Sequence, residues 1–470
     1  MRISDFSRGV ITSCVAAMAL ASCNSGASSS LPAKVPVETR SSSASSPIQH
    51  IVVMVQENRS FNDFFATYPG ADGTTTGQAE ANATCSPPIS GGSIALTEMP
   101  LDLTKDLNHS WKSGYSVAYD GGKMDAFDDI RFGGNGAPEC SYPYQYTNPE
   151  QIKPYWTLAS EYALAEHMYT TMGSDSFTAH QDLIRGGTVV RPNKAMVDDP
   201  SCGSCWWGCD ASPGTVTHLI TAGNEFIQKG PFPCSNKFKT KYLTLRDRLD
   251  AKYVSWKYYA PPSSKIDGKL WSAFDVVYPV RYGPEWTNNI STPETNILSD
   301  VQSGKLAAMS WVIPDGANSD HPFTKLGSKY VDNGPEWIAT VVNAIGESSY
   351  WNSTAIIIVW DDWGGFYDNK GGALGKYAGP GERVPALIVS PYARAGHISK
   401  TTYQFGSILK YIEQNWGLGS LNTTDKSSKS IIDCFDYKQS PIQFQPIISS
   451  LNKSYFMQEK HSYQAPDTDW

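Results

Sequence analysis

Two short acidic segments each follow a run of apolar residues, and that placement carries chemical meaning. Ile51 to Val55 leads into Gln56-Glu57-Asn58-Arg59-Ser60-Phe61, and Ala355 to Trp360 leads into Asp361-Asp362-Trp363-Gly364-Gly365-Phe366-Tyr367-Asp368. Carboxylates at the end of a buried strand lose their hydration, which is costly unless a cation neutralises them. Glu57, the amide oxygen of Asn58, Asp361 and Asp362 form an oxygen-rich set suited to a hard divalent metal. Either segment alone reads equally as solvated loop carboxylates. The two together point to metal. A serine hydroxyl near such an ion needs a base or the metal itself to become a nucleophile, and no Gly-x-Ser-x-Gly elbow is present to supply the base-only solution. Ser176 precedes Thr178 to Ile184, a helix start whose N–H groups and dipole favour phosphate. Ser174 and Thr178 compete for the same role. His180 lies one helical turn after Ser176 and can share its face.

The elements that must position these residues alternate along the chain. Strand-like apolar runs occur at Ile51 to Val55, Val254 to Tyr259, Leu306 to Ile313, Ala355 to Trp360 and Ala386 to Ser390. Helical spacing occurs at Pro149 to Met168, Leu243 to Leu249, Pro335 to Ile345 and Tyr403 to Trp416. Such alternation predicts an α/β fold with a mostly parallel central sheet flanked by helices. In open sheets of this kind ligands bind beyond the carboxyl ends of the strands, where both acidic segments fall. Gly/Pro/Asn-rich stretches (Gly70 to Ser93, Gly133 to Tyr146, Asp198 to Pro233) read as long loop insertions. No internal repeat is visible.

The N-terminus reads as processing rather than fold. Arg2 and Arg8 precede a short run of small apolar residues, Val10 to Ala21, too short for a permanent membrane helix. Leu20-Ala21-Ser22-Cys23 resembles the lipobox of bacterial lipoproteins, which implies a lipid on Cys23 and an exported protein held at the cell envelope. The expected organisation is a signal peptide over residues 1–22, a Ser/Ala/Pro-rich tether over 23–47 and a catalytic domain over 48–470. A net charge of −8 without a long Lys/Arg run argues against a nucleic-acid partner. Cysteine usage fits export. Cys202, Cys205 and Cys209 lack a histidine at zinc-ligand spacing, so disulfides are expected: Cys209 with Cys234, Cys202 with Cys205, and Cys85 with Cys140. Cys434 is left as the free thiol.

These residues also match a family in order along the chain. Glu57-Asn58-Arg59-Ser60-Phe61 resembles the Glu-Asn-Arg-Ser-Phe signature of the bacterial phosphoesterase family, which holds secreted acid phosphatases and non-haemolytic phospholipases C within the alkaline-phosphatase-like superfamily. Ser174 to Thr188, Gly208-Cys209-Asp210, Ser255 to Pro261, Ser319-Asp320-His321-Pro322 and Arg383 to Pro391 continue the resemblance. It implies Glu57, Asn58, Asp361 and Asp362 as ligands of a divalent metal, and Ser176 as the residue that becomes phosphorylated. It further implies that His109 and His321 contact the phosphate oxygens, with His180 as a third candidate on the face of Ser176; the remaining histidines read as structural. The sequence departs from the family where Trp363, Lys400 and Phe405 replace histidines common in other members. The expected activity is metal-dependent hydrolysis of phosphate esters, with acid phosphatase first because the nucleophile position is serine. Phospholipase C is the alternative, and a lipid-anchored binding protein on the same fold is the alternative of another class.

Overall fold

The computed structural model describes residues 46–131, 136–201, 206–372 and 379–459. Its centre is an eight-stranded sheet: β1 (His50–Gln56), β2 (Ala163–Ala165), β3 (Trp256–Tyr259), β4 (Ile290–Ser291), β5 (Met309–Val312), β6 (Thr354–Trp360), β7 (Ala386–Val389) and β8 (His397–Ser399). The spatial order is β4-β3-β5-β1-β6-β7-β2-β8. All neighbours run parallel except β7, which is antiparallel to both β6 and β2. Every residue of β6 is buried, as is β1 beyond His50. Strands covered on both faces need this continuous apolar character, which is why their sequences read as unbroken β-branched runs.

Five helices matter for the site: α1 (Phe61–Phe65), α2 (Lys153–Glu161), α3 (Ser176–Arg185), α4 (Gly334–Gly346) and α5 (Phe405–Trp416). α2 packs on α4 and α3 on α5. α3 is buried along its length and ends at Gly186, whose φ of +69° lets its N–H reach back to Asp182 O. Leu183 and Ile184 carry this helix into the main core.

Two helical expectations are corrected. The segment Pro149 to Met168 is helical only to Glu161; Ala163–Ala165 then joins the sheet as β2, and Met168–Tyr169 pairs with Arg383–Val384 and Tyr403–Gln404. A short apolar run fits either period, and the sheet edge, offering both β7 and β8 as partners, decides it. For the same reason α5 starts at Phe405 rather than Tyr403. The long insertions are also structured. Thr76–Asn82 pairs with Ile89–Ala95, and Val189–Arg191, Lys194–Ser201, Val216–Thr221 and Phe226–Ile227 form a separate antiparallel sheet.

Cys85–Cys140 and Cys209–Cys234 are disulfides, and Cys434 is a buried free thiol. Cys202 and Cys205, the lipobox cysteine Cys23 and the whole leader lie outside the described residues. Among the described residues no helix is long and apolar enough to cross a membrane.

Cys209–Cys234 closes a loop of 25 residues. Chain-entropy arguments give such a closure about 3–4 kcal/mol of stabilisation. We expect Cys209→Ser/Cys234→Ser to lower unfolding free energy by that order in urea titrations. An unchanged midpoint would show that the loop is held by its other contacts.

Candidate active site

The register of the two central strands builds the first half of the site. β1 and β6 pair with Gln56 opposite Trp360, so Glu57 and Asp361 leave adjacent strand ends at the same level. Backbone bonds lock the two exits together: Asp361 N donates to Gln56 O at 2.9 Å, and Arg59 N donates to Asp362 O at 3.1 Å. Asp361 Oδ1 accepts from the backbone N–H of Asn58 (3.1 Å) and of Asp362 (2.7 Å). Asp362 Oδ1 accepts from Gly364 N at 2.8 Å. The fit is tight. Asn58 has φ +59°, and at Gly364, also φ +59°, a Cβ would sit 2.1 Å from Asn58 O. Only glycine allows that approach.

α3 brings the second half. Ser176 is its first residue, and its hydroxyl lies 3.2 Å from each of Glu57 Oε2, Asn58 Oδ1 and Asp362 Oδ2. The competing hydroxyls are engaged elsewhere. Ser174 Oγ donates to Thr178 Oγ1 at 3.0 Å and accepts from Asp198 N at 2.9 Å. Ser176 is therefore the hydroxyl that stands among the carboxylates. One turn on, His180 Nε2 is 2.8 Å from Glu57 Oε1 and 3.6 Å from Asp361 Oδ2. Its ring lies between Trp207 and Trp271, at 6.2 and 6.4 Å.

The two remaining histidines converge on Asn58. His109 Nδ1 faces the carbonyl of Leu107, and His321 Nδ1 faces the carbonyl of Pro322, each at 2.7 Å. A ring nitrogen against a carbonyl must carry the proton, so Nε2 of both rings presents a lone pair. Both lone pairs point at Asn58 Nδ2, at 3.0 and 2.8 Å. This fixes the amide: its NH2 serves both imidazoles, and its oxygen is turned to Ser176. Trp363 stands behind this arrangement, donating from Nε1 to His109 O at 3.1 Å. Its ring packs edge-on against Tyr115 and Phe127, so it props His109 from behind. Lys400 is exposed and 3.8 Å from Glu166, and Phe405 is buried at the start of α5.

The electrostatics fit a cation. Glu57, Asp361 and Asp362 are fully buried. Burial, reinforced by Glu57, pushes Asp361 up to about 8, and burial with Asp361 beside it holds Asp362 well above the usual carboxylate range. Burial lowers His180 to about 4, against the pull of Asp361. Asp361 Oδ2 is buried without a hydrogen bond. Glu57, His180 and Asp361 each offer an atom within 4.8 Å of the others, a spacing suited to one ion. The donor set thus fits a divalent metal. His180, expected as a catalytic group, stands beside Glu57 and Asp361, within reach of the same ion. Glu382 went unnoticed in the sequence: it is fully buried, burial holds its carboxyl well above the ordinary range, and it lies in electrostatic reach of Asp362 and Tyr115. Nothing in its local sequence separates it from any glutamate beside an arginine.

Residues 48–419 match the sequence profile of the Phosphoesterase family. The chain belongs to that family. It is a hydrolase acting on phosphate ester bonds. "Phospholipase C A" of Mycobacterium tuberculosis is 22% identical over 450 residues, covering 86% of this chain and 80% of the relative. "Non-hemolytic phospholipase C" of Pseudomonas aeruginosa is 22% identical over 79% of this chain, and the match spans 54% of that protein. "Non-specific phospholipase C6" of Arabidopsis thaliana is 24% identical, covering 80% and 69%. Among solved structures, a protein in the alkaline phosphatase superfamily from Vibrio parahaemolyticus aligns with a TM-score of 0.32 at 12% identity, over 60% of this chain and 65% of that one.

Two outcomes follow from the acidic pocket. Asp361→Asn and Glu57→Gln each delete a carboxylate of this pocket, so elemental analysis of either purified variant should show the divalent ion lost along with activity. Full occupancy in both would break the proposed site. The second concerns pH. A carboxyl raised to about 8 takes up a proton on folding between its ordinary range and pH 8, so its contribution to stability falls as pH rises through that window. His180, lowered to about 4, adds an opposing slope only below its ordinary 6.5. Chelator-treated protein should therefore lose melting temperature from pH 6.5 to 8, and added metal should restore more at pH 8. A flat profile in the chelated protein would contradict the crowding of acids.

Proposed function

We propose that this hydrolase cleaves phosphodiesters in the manner of a phospholipase C, by way of a phosphoserine at Ser176. The observation that carries the reading is the Ser176 hydroxyl, held 3.2 Å from Glu57, Asn58 and Asp362 at the buried start of α3. Glu57, Asn58, Asp361 and Asp362, with His180 beside them, would hold the cation. When bound, that ion supplies positive charge that lowers the hydroxyl pKa and balances the phosphate oxygens. Ser176 Oγ forms a bond to phosphorus as the ester P–O bond opposite it breaks, and its proton passes to a neighbouring carboxylate. The departing alkoxide takes a proton from His109 or His321 in the form protonated at Nε2, a state in which that ring has taken up a proton and given up its bond to Asn58 Nδ2. In the second half the neutral ring accepts a proton from water, which attacks phosphorus and frees Ser176. The α3 N-terminus orients the phosphate.

Preference between esters is revised from the sequence reading. Serine at the nucleophile position favoured a monoesterase; the relatives named above are phospholipases C, and they support the diester. Export, with a signal peptide over 1–22 and a tether over 23–47, and lipidation at Cys23 belong to the same proposal. Two disulfides support an oxidising compartment.

Ser176→Ala should reduce turnover by several orders of magnitude while the metal stays bound, since the covalent step is lost and the anionic ligands remain. Near-normal turnover in that variant would shift the reaction to direct attack by water. Side-by-side assays with p-nitrophenylphosphorylcholine and p-nitrophenyl phosphate should give the higher kcat/KM for the diester and lose both activities with chelator. A preference for the monoester would restore the phosphatase reading, and turnover of neither would leave a binding protein.

A further inference from the structure

One region outside the site combines charge and exposed aromatic surface in a way the reaction does not use. Residues 229–241 carry Lys229, Lys237, Lys239 and Lys241 and no carboxylate, on a chain whose net charge is −8. All four lysines are exposed, and none forms an ion pair among the described residues. Tyr278, whose N–H reaches the loop that carries Lys237, and Tyr282 lie with their rings 4.8 Å apart and tilted at 55°, with 39% and 57% of their surface exposed. Arg281 covers Trp286 at 4.6 Å, and Lys269 covers the half-buried Trp206 at 4.2 Å. The two parts are joined around the Cys209–Cys234 disulfide. Tyr278 N donates to Ser235 Oγ at 2.8 Å, and the Tyr282 hydroxyl donates to Cys209 O at 3.3 Å. The patch also adjoins the site, because Trp206 is followed directly by Trp207, whose ring lies 6.2 Å from that of His180.

We propose that this lysine and tyrosine–tryptophan face docks the protein on the anionic surface of a phospholipid bilayer. Exposed Tyr and Trp suit the boundary between head groups and acyl chains, where an apolar ring and a polar edge are both satisfied. Lysines with long apolar stems and no internal partner are drawn to anionic head groups within a Debye length. The aromatic residues give contact and the lysines give attraction, the combination that holds proteins on a membrane surface without spanning it. The inference rests on phospholipid as the substrate.

The test uses the full chain with Cys23→Ser, so that no acyl group can substitute for the surface. Co-sedimentation with vesicles of mixed phosphatidylglycerol and phosphatidylcholine should exceed that with phosphatidylcholine alone and weaken as salt rises. Lys229→Gln/Lys237→Gln/Lys239→Gln/Lys241→Gln should lower binding at least about tenfold, with hydrolysis of p-nitrophenylphosphorylcholine unchanged. Tyr282→Ser should weaken binding independently of salt. Equal binding to both vesicle types, or an unaffected lysine variant, overturns the proposal. So does competition by duplex DNA as strong as by anionic vesicles, which would reduce the lysines to general polyanion attraction. Intact hydrolysis of the soluble ester without vesicle binding removes the docking surface alone. Absent hydrolysis removes the functional reading and leaves the vesicle result to stand by itself.

Discussion

Three carboxylates, Glu57, Asp361 and Asp362, are packed into one fully buried pocket, and the surrounding structure answers that constraint. They arrive there because two central parallel strands end in register, and no shift of one residue would keep them together. The strand exits must then bend sharply within two residues. Asn58 adopts a left-handed conformation, and Gly364 gives up its Cβ space to the Asn58 carbonyl. Each strained position has a direct return: the backbone N–H groups of Asn58, Asp362 and Gly364 all point at carboxylate oxygens. The backbone therefore stabilises part of the negative charge while leaving the outward oxygens available.

Asn58 links this acidic pocket to the two imidazoles of His109 and His321. Its amide cannot rotate without placing an oxygen against two imidazole lone pairs, a double electrostatic penalty. The orientation of one side chain thus sets the oxygen toward Ser176, the NH2 toward His109 and His321, and the two ring tautomers by way of the Leu107 and Pro322 carbonyls. Supporting groups of this kind hold a site to the tolerance that catalysis requires. Trp363 belongs to the same support. Replacing a polar ring by indole leaves its Nε1 bonded to the His109 carbonyl and anchors the body of the ring against Tyr115 and Phe127.

Much of this was legible in the sequence because it depends on short-range pattern. A buried parallel strand announces itself as an unbroken β-branched run, so both site-bearing strands and the acidic residues after them were found at the right places. Elements whose identity depends on a distant partner were not. Ala163–Ala165 reads as the continuation of a helix until β7 and β8 are there to pair with it. The Asp198 to Pro233 stretch looks like loop because its strands are short and its Gly and Pro are frequent. His180 illustrates the same limit within the site. One helical turn from Ser176 was evident, but its contact with Glu57 depends on how α3 docks against the sheet. Glu382 gave no signal at all, since only tertiary packing makes it a buried acid.

The basic residues nearest the pocket explain why its neutralisation has to come from outside the chain. Arg59 immediately follows Asn58, yet its guanidinium turns away: Nε donates to Asp320 O, and the terminal nitrogens reach Asp63, Asp332 and the Leu101 carbonyl. It is also enclosed between the rings of Phe64 and Phe366. Arg383 is likewise committed to Asp368 and stacked on Phe61. Among the described residues, the ion-pair partners of Asp361 and Asp362 are His180 and His109, groups that carry charge only when protonated. Two buried arginines are thus matched to carboxylates of their own in a layer around the pocket. The inner acids are left with oxygens facing one another and a hydroxyl. An arginine turned inward would satisfy the carboxylates permanently and close the site to phosphate. Pairing Arg59 and Arg383 outward leaves the inner carboxyls without a fixed counter-charge, the arrangement that suits an exchangeable divalent cation.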